Sequence, residues 1–143
     1  MTVQAILARK GSDVLTIEPA AELAAAVKIL AERRIGALVV IGADRRVVGI
    51  LSERDVVRTL AERGAGALKV PVSEVMTPRV VICGRQETVS EIMERMTAGK
   101  FRHVPVVEQD QLAGIVSIGD VVKSRLEEME RESAALRDYI RTA

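Results

Sequence analysis

Two short segments of the chain place a serine three residues before an aspartate. Ser52 precedes Asp55 in the first, and Ser117 precedes Asp120 in the second. A serine that begins a helix accepts a hydrogen bond from a free backbone N–H, and an acidic side chain three residues later reaches back. The same geometry can also grip a ligand. Capping is the commoner explanation for a single occurrence, so the choice depends on the rest of the chain.

The motif belongs to a duplication. An offset of 66 residues carries the apolar positions 23, 26, 27 and 30 onto 89, 92, 93 and 96. Both sets have the i, i+3, i+4, i+7 spacing of one helix face. After a one-residue difference in a loop, an offset of 65 carries residues 49–57 onto 114–122. Repetition of the motif within matching strands favours a binding role over capping alone.

Each copy has the predicted element order β-α-β-β-α. The predicted strands cover residues 14–17, 37–41, 47–51, 80–83, 104–107 and 112–116. Helices are predicted at 21–33 and 89–98, and another follows each Ser-x-x-Asp. Thr88 and Glu91 form a capping-box pattern before the second of these. The fold class is therefore α+β, with two tandem repeats packed as a pseudo-two-fold pair.

The chain divides into three predicted regions. Residues 1–66 form the first repeat with a short helical lead-in, residues 67–125 form the second, and residues 126–143 extend the last helix. Apolar residues follow this extension in a heptad-like stripe that Ser133 interrupts. The helix could pack on its own module. Self-association is at least as well supported, because its other faces are densely charged.

Composition argues against several classes of protein. The net charge is +1, and Phe101 and Tyr139 are the only aromatic residues, so we expect no nucleic-acid partner. No run approaches the ~18 apolar residues of a membrane span. The first residues lack the apolar core of a signal peptide. We expect a cytoplasmic protein without a membrane partner.

Five segments resemble a pair of CBS (cystathionine beta-synthase) domains. They are residues 14–19, 34–40, 49–55, 101–107 and 114–120. The resemblance covers residues 3–125 and extends to small stand-alone bacterial signal-transduction proteins. It implies a regulatory module that binds adenosine-containing ligands in clefts between the copies, such as AMP, ADP, ATP, NAD(H) or S-adenosylmethionine.

The resemblance assigns roles to residues of both copies. Asp55 and Asp120 would accept hydrogen bonds from the two ribose hydroxyls, which an acceptor-only carboxylate can do. Helix starts favour phosphate, which suits the two motif serines. The implied adenine contacts, through backbone groups and apolar surface, are Thr16, Ile17, Ile82 and Cys83.

The two clefts are not chemically equivalent. Arg102 and His103 match basic positions that the family places near phosphate, whereas the first copy has Gly36 and Ala37 there. Within the Ser-x-x-Asp motif the difference runs the other way, because the first copy has the basic residue Arg54 and the second copy has Gly119 at the equivalent position. We expect the clefts to differ in ligand or affinity, one holding AMP and the other a larger dinucleotide.

Single residues also allow other interpretations. His103 is the only histidine and could be structural or a pH switch. Cys83 is the only cysteine, which excludes an internal disulfide, and it fits a small buried residue better than a redox sensor.

Catalysis has little support in the sequence. One histidine, one cysteine, no evident metal-ligand set and no P-loop leave no nucleophile with its base and no metal site. We expect a non-catalytic sensor of adenine nucleotides, as a homodimer, that acts on a separate effector protein or on its own dimer. The alternative is a dimerisation scaffold with vestigial nucleotide sites.

Overall fold

Helices and short strands are distributed along residues 1–142, the part of the chain that the computed structural model describes. In chain order they are α1 (Val3–Lys10), β1 (Thr16–Ile17), α2 (Leu23–Arg33), β2 (Ala37–Ile41), β3 (Val47–Ser52), α3 (Glu53–Arg63), α4 (Val72–Val75), α5 (Val89–Gly99), β4 (His103–Glu108), β5 (Gln111–Ser117) and α6 (Ile118–Thr142). The α+β class, the two repeats and the long final helix are confirmed.

Each repeat contains one small sheet. In the first, β1 runs parallel to β2, and β2 pairs antiparallel with β3. In the second, β4 pairs antiparallel with β5. The ladder shifts register between Val40 and Ile41, and again between Val106 and Val107, so even the irregularity follows the offset of 66 residues.

The prediction of a strand at residues 80–83 is wrong. Only Cys83 pairs with β4, through an isolated parallel bridge to Val106. Its N–H donates to the Pro105 carbonyl at 3.0 Å, and its carbonyl accepts from the Val107 N–H at 2.9 Å. Val81 and Ile82 remain largely exposed, so the rest of the segment lies outside the sheet.

Amphipathic spacing and capping account for the helices. α5 buries Val89, Ile92 and Met96, the spacing that the sequence predicted. The Thr88–Glu91 capping box is formed, with the Thr88 N–H donating to Glu91 at 3.3 Å and the Glu91 N–H donating to Thr88 Oγ1 at 3.2 Å. These bonds satisfy two of the free N–H groups at the helix start.

The two lead-in helices are exchanged between the repeats. The sequence grouped α1 with the first repeat, but Val3, Ile6 and Leu7 lie in the core of the second. Conversely, Val72 and Val75 of α4 lie in the core of the first. Burying one such side chain contributes about 1.5–3 kcal/mol. The repeats therefore depend on each other, and the boundaries at residues 66 and 125 stay a prediction.

A glycine in each repeat makes room for the exchanged helix. A side chain at Gly49 would overlap Met76, just after α4, and one at Gly114 would lie 2.8 Å from Leu7 of α1. A Cβ essentially never comes this close to another heavy atom, so these glycines allow the lead-in helices to approach β3 and β5.

The final helix leaves the body of the protein. Val121 and Ser124 of α6 are buried against the second repeat, whereas every residue from 129 to 142 is exposed. The outer half does not pack on its own module. Among residues 1–142, no helix has the length and apolar content that a membrane span requires.

Candidate functional site

A cleft of about 890 Å³ lies between the two repeats. The first repeat contributes the Ser-x-x-Asp motif and the start of α3, and the second contributes the turn between α5 and β4. Residues 79–81, which precede the second repeat's sheet, complete the wall. The lining includes Gly36, Ser52, Asp55, Arg58, Thr77, Arg79, Val80, Val81, Lys100, Arg102 and His103.

Asp55 lies at the bottom of this cleft and is only 4% exposed. One of its carboxylate oxygens accepts from the Ser52 N–H at 3.0 Å and from the Ser52 hydroxyl at 3.1 Å. The other accepts from Arg58 at 2.9 Å and from the Thr77 hydroxyl at 3.4 Å. The bond from the Ser52 N–H belongs to the capping box of α3, whose other bond is donated by the Asp55 N–H to the Ser52 hydroxyl at 3.3 Å. The bonds from Arg58 and Thr77 involve cleft-lining side chains, so hydroxyl groups of a ligand could replace them.

Basic side chains outnumber acidic ones around the cleft. Five basic residues line it, against Glu53 and Asp55 on the acidic side; the five are Arg54, Arg58, Arg79, Lys100 and Arg102. All five are exposed. Arg54 also spans the two repeats, because it donates to the Lys100 carbonyl at 3.1 Å. A cleft of this charge favours an anionic ligand.

His103 lies against Gly36 across the cleft. A Cβ at Gly36 would come within 3.0 Å of the imidazole, so the absence of a side chain there leaves room for the ring. Burial lowers the pKa of His103, the Arg102 and Lys10 charges lower it further, and Glu53 and Asp120 oppose this. The imidazole is therefore neutral near pH 7.

The second Ser-x-x-Asp motif has a different partner. Asp120 accepts from the Ser117 N–H at 2.9 Å, and its own N–H donates to the Ser117 hydroxyl at 3.2 Å, so capping bonds form here too. The ammonium of Lys10 then donates to Asp120 at 2.7 Å and to the Ile115 carbonyl at 3.0 Å. Partial burial works to raise the pKa of Asp120, but the bonds from Lys10 and Ser117 lower it below its usual value.

The cleft brings together six of the residues predicted from the sequence. They are Gly36, Ser52, Arg54, Asp55, Arg102 and His103. The lining does not include Thr16, Ile17, Ala37, Ile82, Cys83, Ser117 or Asp120. The two motif aspartates thus lie at two separate places, one in each repeat, and only Asp55 lines this cleft.

The predicted adenine contacts of Ile17 and Cys83 stay a prediction. Both side chains are buried in the cores, at 7% and 3% exposure. The sheet already uses the backbone N–H and carbonyl of Cys83. Burial and the nearby Glu87 carboxylate raise the pKa of the Cys83 thiol to about 12, so it stays protonated, and a redox role is disfavoured.

Thr77 and the segment from Arg79 to Val81 line the cleft but were not predicted from the sequence. Thr77 exchanges two backbone hydrogen bonds with Ile50 of β3, at 3.0 and 2.9 Å, and this bridge draws the following residues over the first repeat. Periodicity carries no signal for such a bridge. The available signal was the cluster of Arg79 and two valines just before the position aligned with Ile17.

The duplicated fold agrees with a comparison to known families. The sequence profile of the CBS domain matches residues 5–62 and again residues 72–127. The chain belongs to the CBS domain family. Both matches contain one Ser-x-x-Asp motif, so the chain is a tandem CBS pair.

Known CBS proteins resemble the chain over most of its length. The crystal structure of a CBS-domain containing protein from Agrobacterium tumefaciens superimposes with a TM-score of 0.83 at 49% identity, covering 87% of this chain and 92% of that one. A mitochondrial CBS domain-containing protein of Arabidopsis thaliana is 34% identical over 80% of this chain. The matched part is 58% of that relative's length, so its whole-protein activity does not transfer directly.

Solved relatives include complexes with adenosine-containing ligands. A CBS domain protein from Pyrobaculum aerophilum complexed with AMP superimposes with a TM-score of 0.75 at 27% identity, covering 84% of this chain and 89% of that one. CBS pairs of this architecture thus include a nucleotide-binding member. Within residues 1–142, no three His, Cys, Asp or Glu side chains cluster as a metal site requires.

Proposed function

We propose that this CBS pair is a non-catalytic regulatory module that binds an adenosine-containing ligand between its repeats. The ligand class is AMP, ADP, ATP, NAD(H) or S-adenosylmethionine. The observation that carries the proposal is the cleft that joins a buried carboxylate, Asp55, to a basic rim. The AMP complex of a similar CBS protein supports the same class.

The ribose would bind to Asp55. Its outer carboxylate oxygen accepts hydrogen bonds only from Arg58 and Thr77, whereas the inner oxygen belongs to the helix cap. A 2′,3′-diol can donate two hydrogen bonds to a carboxylate and so replace these two donors. Arg58 would then be free to bind phosphate, together with Arg79 and Arg102.

The adenine would lie on the apolar part of the same wall. Val80 and Val81 line the cleft beside the basic residues, and Val81 is 39% exposed. Contact with a purine would remove this apolar surface from water. In this proposal the two valines take the role that the sequence analysis gave to Ile82 and Cys83.

The second cleft would bind a ligand less readily. Both motif aspartates are in an ion pair, but Lys10 is less exposed than Arg58 and also bonds to the Ile115 carbonyl, so a diol displaces Lys10 from Asp120 less readily than Arg58 from Asp55. We infer that the two clefts differ in affinity. Titration calorimetry that finds two identical and independent sites contradicts this inference.

Ligand binding would act by shifting a population. A nucleotide that contacts both repeats binds one arrangement of the pair better than another and favours it. α6 continues directly from the second motif, so it is the element best placed to pass the shift to a homodimer partner or to an effector protein. A cytoplasmic location, as expected from the sequence, stays a prediction.

One observation favours a second candidate function, a dimerisation scaffold. Apolar side chains of α6 are exposed, and Leu126, Leu136 and Ile140 are 55–65% exposed. A scaffold needs this surface and does not need the cleft. The two functions therefore make different predictions about nucleotide binding.

Melting temperatures with and without AMP, ATP, NADH and S-adenosylmethionine test the proposal. A ligand at ~100 times its dissociation constant adds ~2.7 kcal/mol of stability. For a chain of this size, this raises the melting temperature by roughly 5–10 °C. We expect a shift with at least one of the four compounds, and no shift with any of them favours the scaffold.

Three alanine variants separate binding from capping. Asp55, Glu91 and Asp120 each complete a capping box, and each change to alanine costs about 1 kcal/mol through the cap. At ligand concentrations that fill only the tighter site, only Asp55→Ala should also abolish the ligand-induced shift. A retained shift in folded Asp55→Ala contradicts the assignment of the ribose. Hydrolysis of ATP or NAD that is lost in this variant contradicts the non-catalytic proposal.

A further inference from the structure

The outer part of α6 is exposed to solvent on all sides. Residues 129–142 are all exposed, and at 1.5 Å per residue they extend about 21 Å. A helix this short is marginal in water unless an apolar face is buried. Within residues 1–142 no element packs on it, so the burial must come from outside this part of the chain.

The apolar residues of α6 form one continuous seam. We call the following six positions the α6 stripe: Val122, Leu126, Met129, Ser133, Leu136 and Ile140. Their spacing alternates strictly between four and three residues, which is the a/d repeat of a coiled coil. The five apolar members are 44–65% exposed, so the stripe does not face the body of its own chain.

The charges beside the stripe are complementary in a parallel, in-register pair. The a positions of the stripe are Leu126, Ser133 and Ile140. In a parallel pair, the residue before each a position faces the residue five positions later on the partner helix. Arg125 then faces Glu130 of a second copy, and Glu132 faces Arg137. Both pairs have opposite charges, and two-fold symmetry makes four pairs in total.

The antiparallel arrangement opposes like charges instead. Complete overlap of the stripe pairs position 122 with position 140, 126 with 136 and 129 with 133 of the second copy. Glu130 then meets its own counterpart, as does Glu132, and Lys123 meets Arg137. Like charges at these flanking positions disfavour pairing.

We propose that α6 of two copies forms a parallel, in-register coiled coil along the α6 stripe. This inference rests on the self-association proposed above and specifies its surface and direction. The residues that face the body, Val121 and Ser124, lie roughly 120° around the helix from the stripe. The two CBS pairs therefore lie on opposite outer sides of the seam. A shallow depression of about 560 Å³ on the surface of α6 itself, at Val122 and Leu126, lies where the partner helix would pack.

A cysteine at the centre of the stripe reports direction and register. Ser133→Cys places two thiols against each other only in a parallel, in-register dimer. We expect mild oxidation of the full chain to give a covalent dimer on a non-reducing gel. Ala135→Cys, two residues away and outside the α6 stripe, is the matched control and should give little covalent dimer. The wild type controls for Cys83, which is buried.

Charge reversal tests the flanking pairs. Arg137→Glu turns two attractive contacts of the dimer into repulsive ones, and we expect on the order of a tenfold weaker dimer by sedimentation. Adding Glu132→Arg should restore the dissociation constant. A monomeric wild type, a dimer in which Ser133→Cys does not cross-link, or a double variant as weak as the single one overturns the proposal. Nucleotide binding at Asp55 is measured separately by melting, so its failure is distinguishable.

Discussion

Asp55 and Asp120 show how one motif acquires two environments. Both carboxylates cap a helix through the serine three residues before them. Asp55 accepts further bonds from cleft-lining groups, whereas Asp120 is held by Lys10 of the exchanged N-terminal helix. At the residue scale, capping and ligand binding are therefore compatible uses of the same side chain, and the partners beyond the capping serine distinguish the two sites.

The Lys10–Asp120 ion pair predicts a pH-dependent contribution to stability. The folded pKa of Asp120 is depressed, so the unfolded chain binds more protons, and stability is lost as pH falls through the folded pKa. Lys10→Met should cost up to about 1 kcal/mol at pH 7, since the pair is partly exposed. The difference from wild type should shrink below about pH 4, as urea unfolding can measure.

A second lysine provides the control for this prediction. Lys28 pairs with Glu32 at 4.0 Å, and both side chains are more than 60% exposed. Lys28→Met should change stability little at any pH. If Lys10→Met and wild type differ equally at pH 7 and pH 3.5, the carboxylate of Asp120 is not the group that Lys10 stabilises.

At the element scale, α2 and α5 end in the same unusual way. Arg34 and Lys100, the residues after these helices, have φ of 53° and 58°, in the left-handed region that favours glycine. They occupy equivalent positions of the two repeats. Lys100 lines the cleft, so at this position a strained left-handed backbone is found together with a positive charge in the candidate site.

Glycine at these two positions should separate stability from binding. Lys100→Gly and Arg34→Gly should each stabilise the fold by about 0.5–1 kcal/mol, because the left-handed cap no longer strains a side chain. Only Lys100→Gly removes a cation from the cleft, so only this variant should weaken binding of a phosphate-containing ligand. Urea unfolding and ligand-dependent melting give the two readouts. Equal affinities in both variants exclude Lys100 from the site.

At the scale of the whole molecule, the exchanged lead-in helices tie the repeats together. The core of the first repeat ends with Val75 of α4, and the core of the second begins with Val3 of α1. A cut between the repeats therefore leaves each with a core that lacks its lead-in helix. The cleft between the repeats depends on the same exchange, since the segment after α4 forms its wall.

Two fragments of equal length test this exchange. Residues 11–76 contain the complete first core, whereas residues 1–66 lack Ala67, Val72 and Val75. We expect residues 11–76 to be more stable by about 4 kcal/mol, from two buried valines and an alanine. Circular dichroism with urea unfolding measures the difference. Equal helicity and equal midpoints in the two fragments contradict the exchanged packing.

Most of the elements, and part of the site, were predictable from the sequence. The offset of 66 residues matches even the register shifts of the sheets, and the predicted β2 agrees with Ala37–Ile41. The Ser-x-x-Asp motifs and the Thr88–Glu91 cap formed as expected. Helix periodicity and capping involve neighbours within a few residues, so the order of residues suffices to determine them.

Which residues meet in the cleft was decided only by the tertiary structure. The bridge between Ile50 and Thr77 brings the Thr77 hydroxyl to Asp55, and the exchange of α1 brings Lys10 to Asp120. These contacts join segments up to 110 residues apart, through packing that no local pattern encodes. The duplication made the two motifs alike in sequence, and the differing long-range neighbours made them chemically distinct.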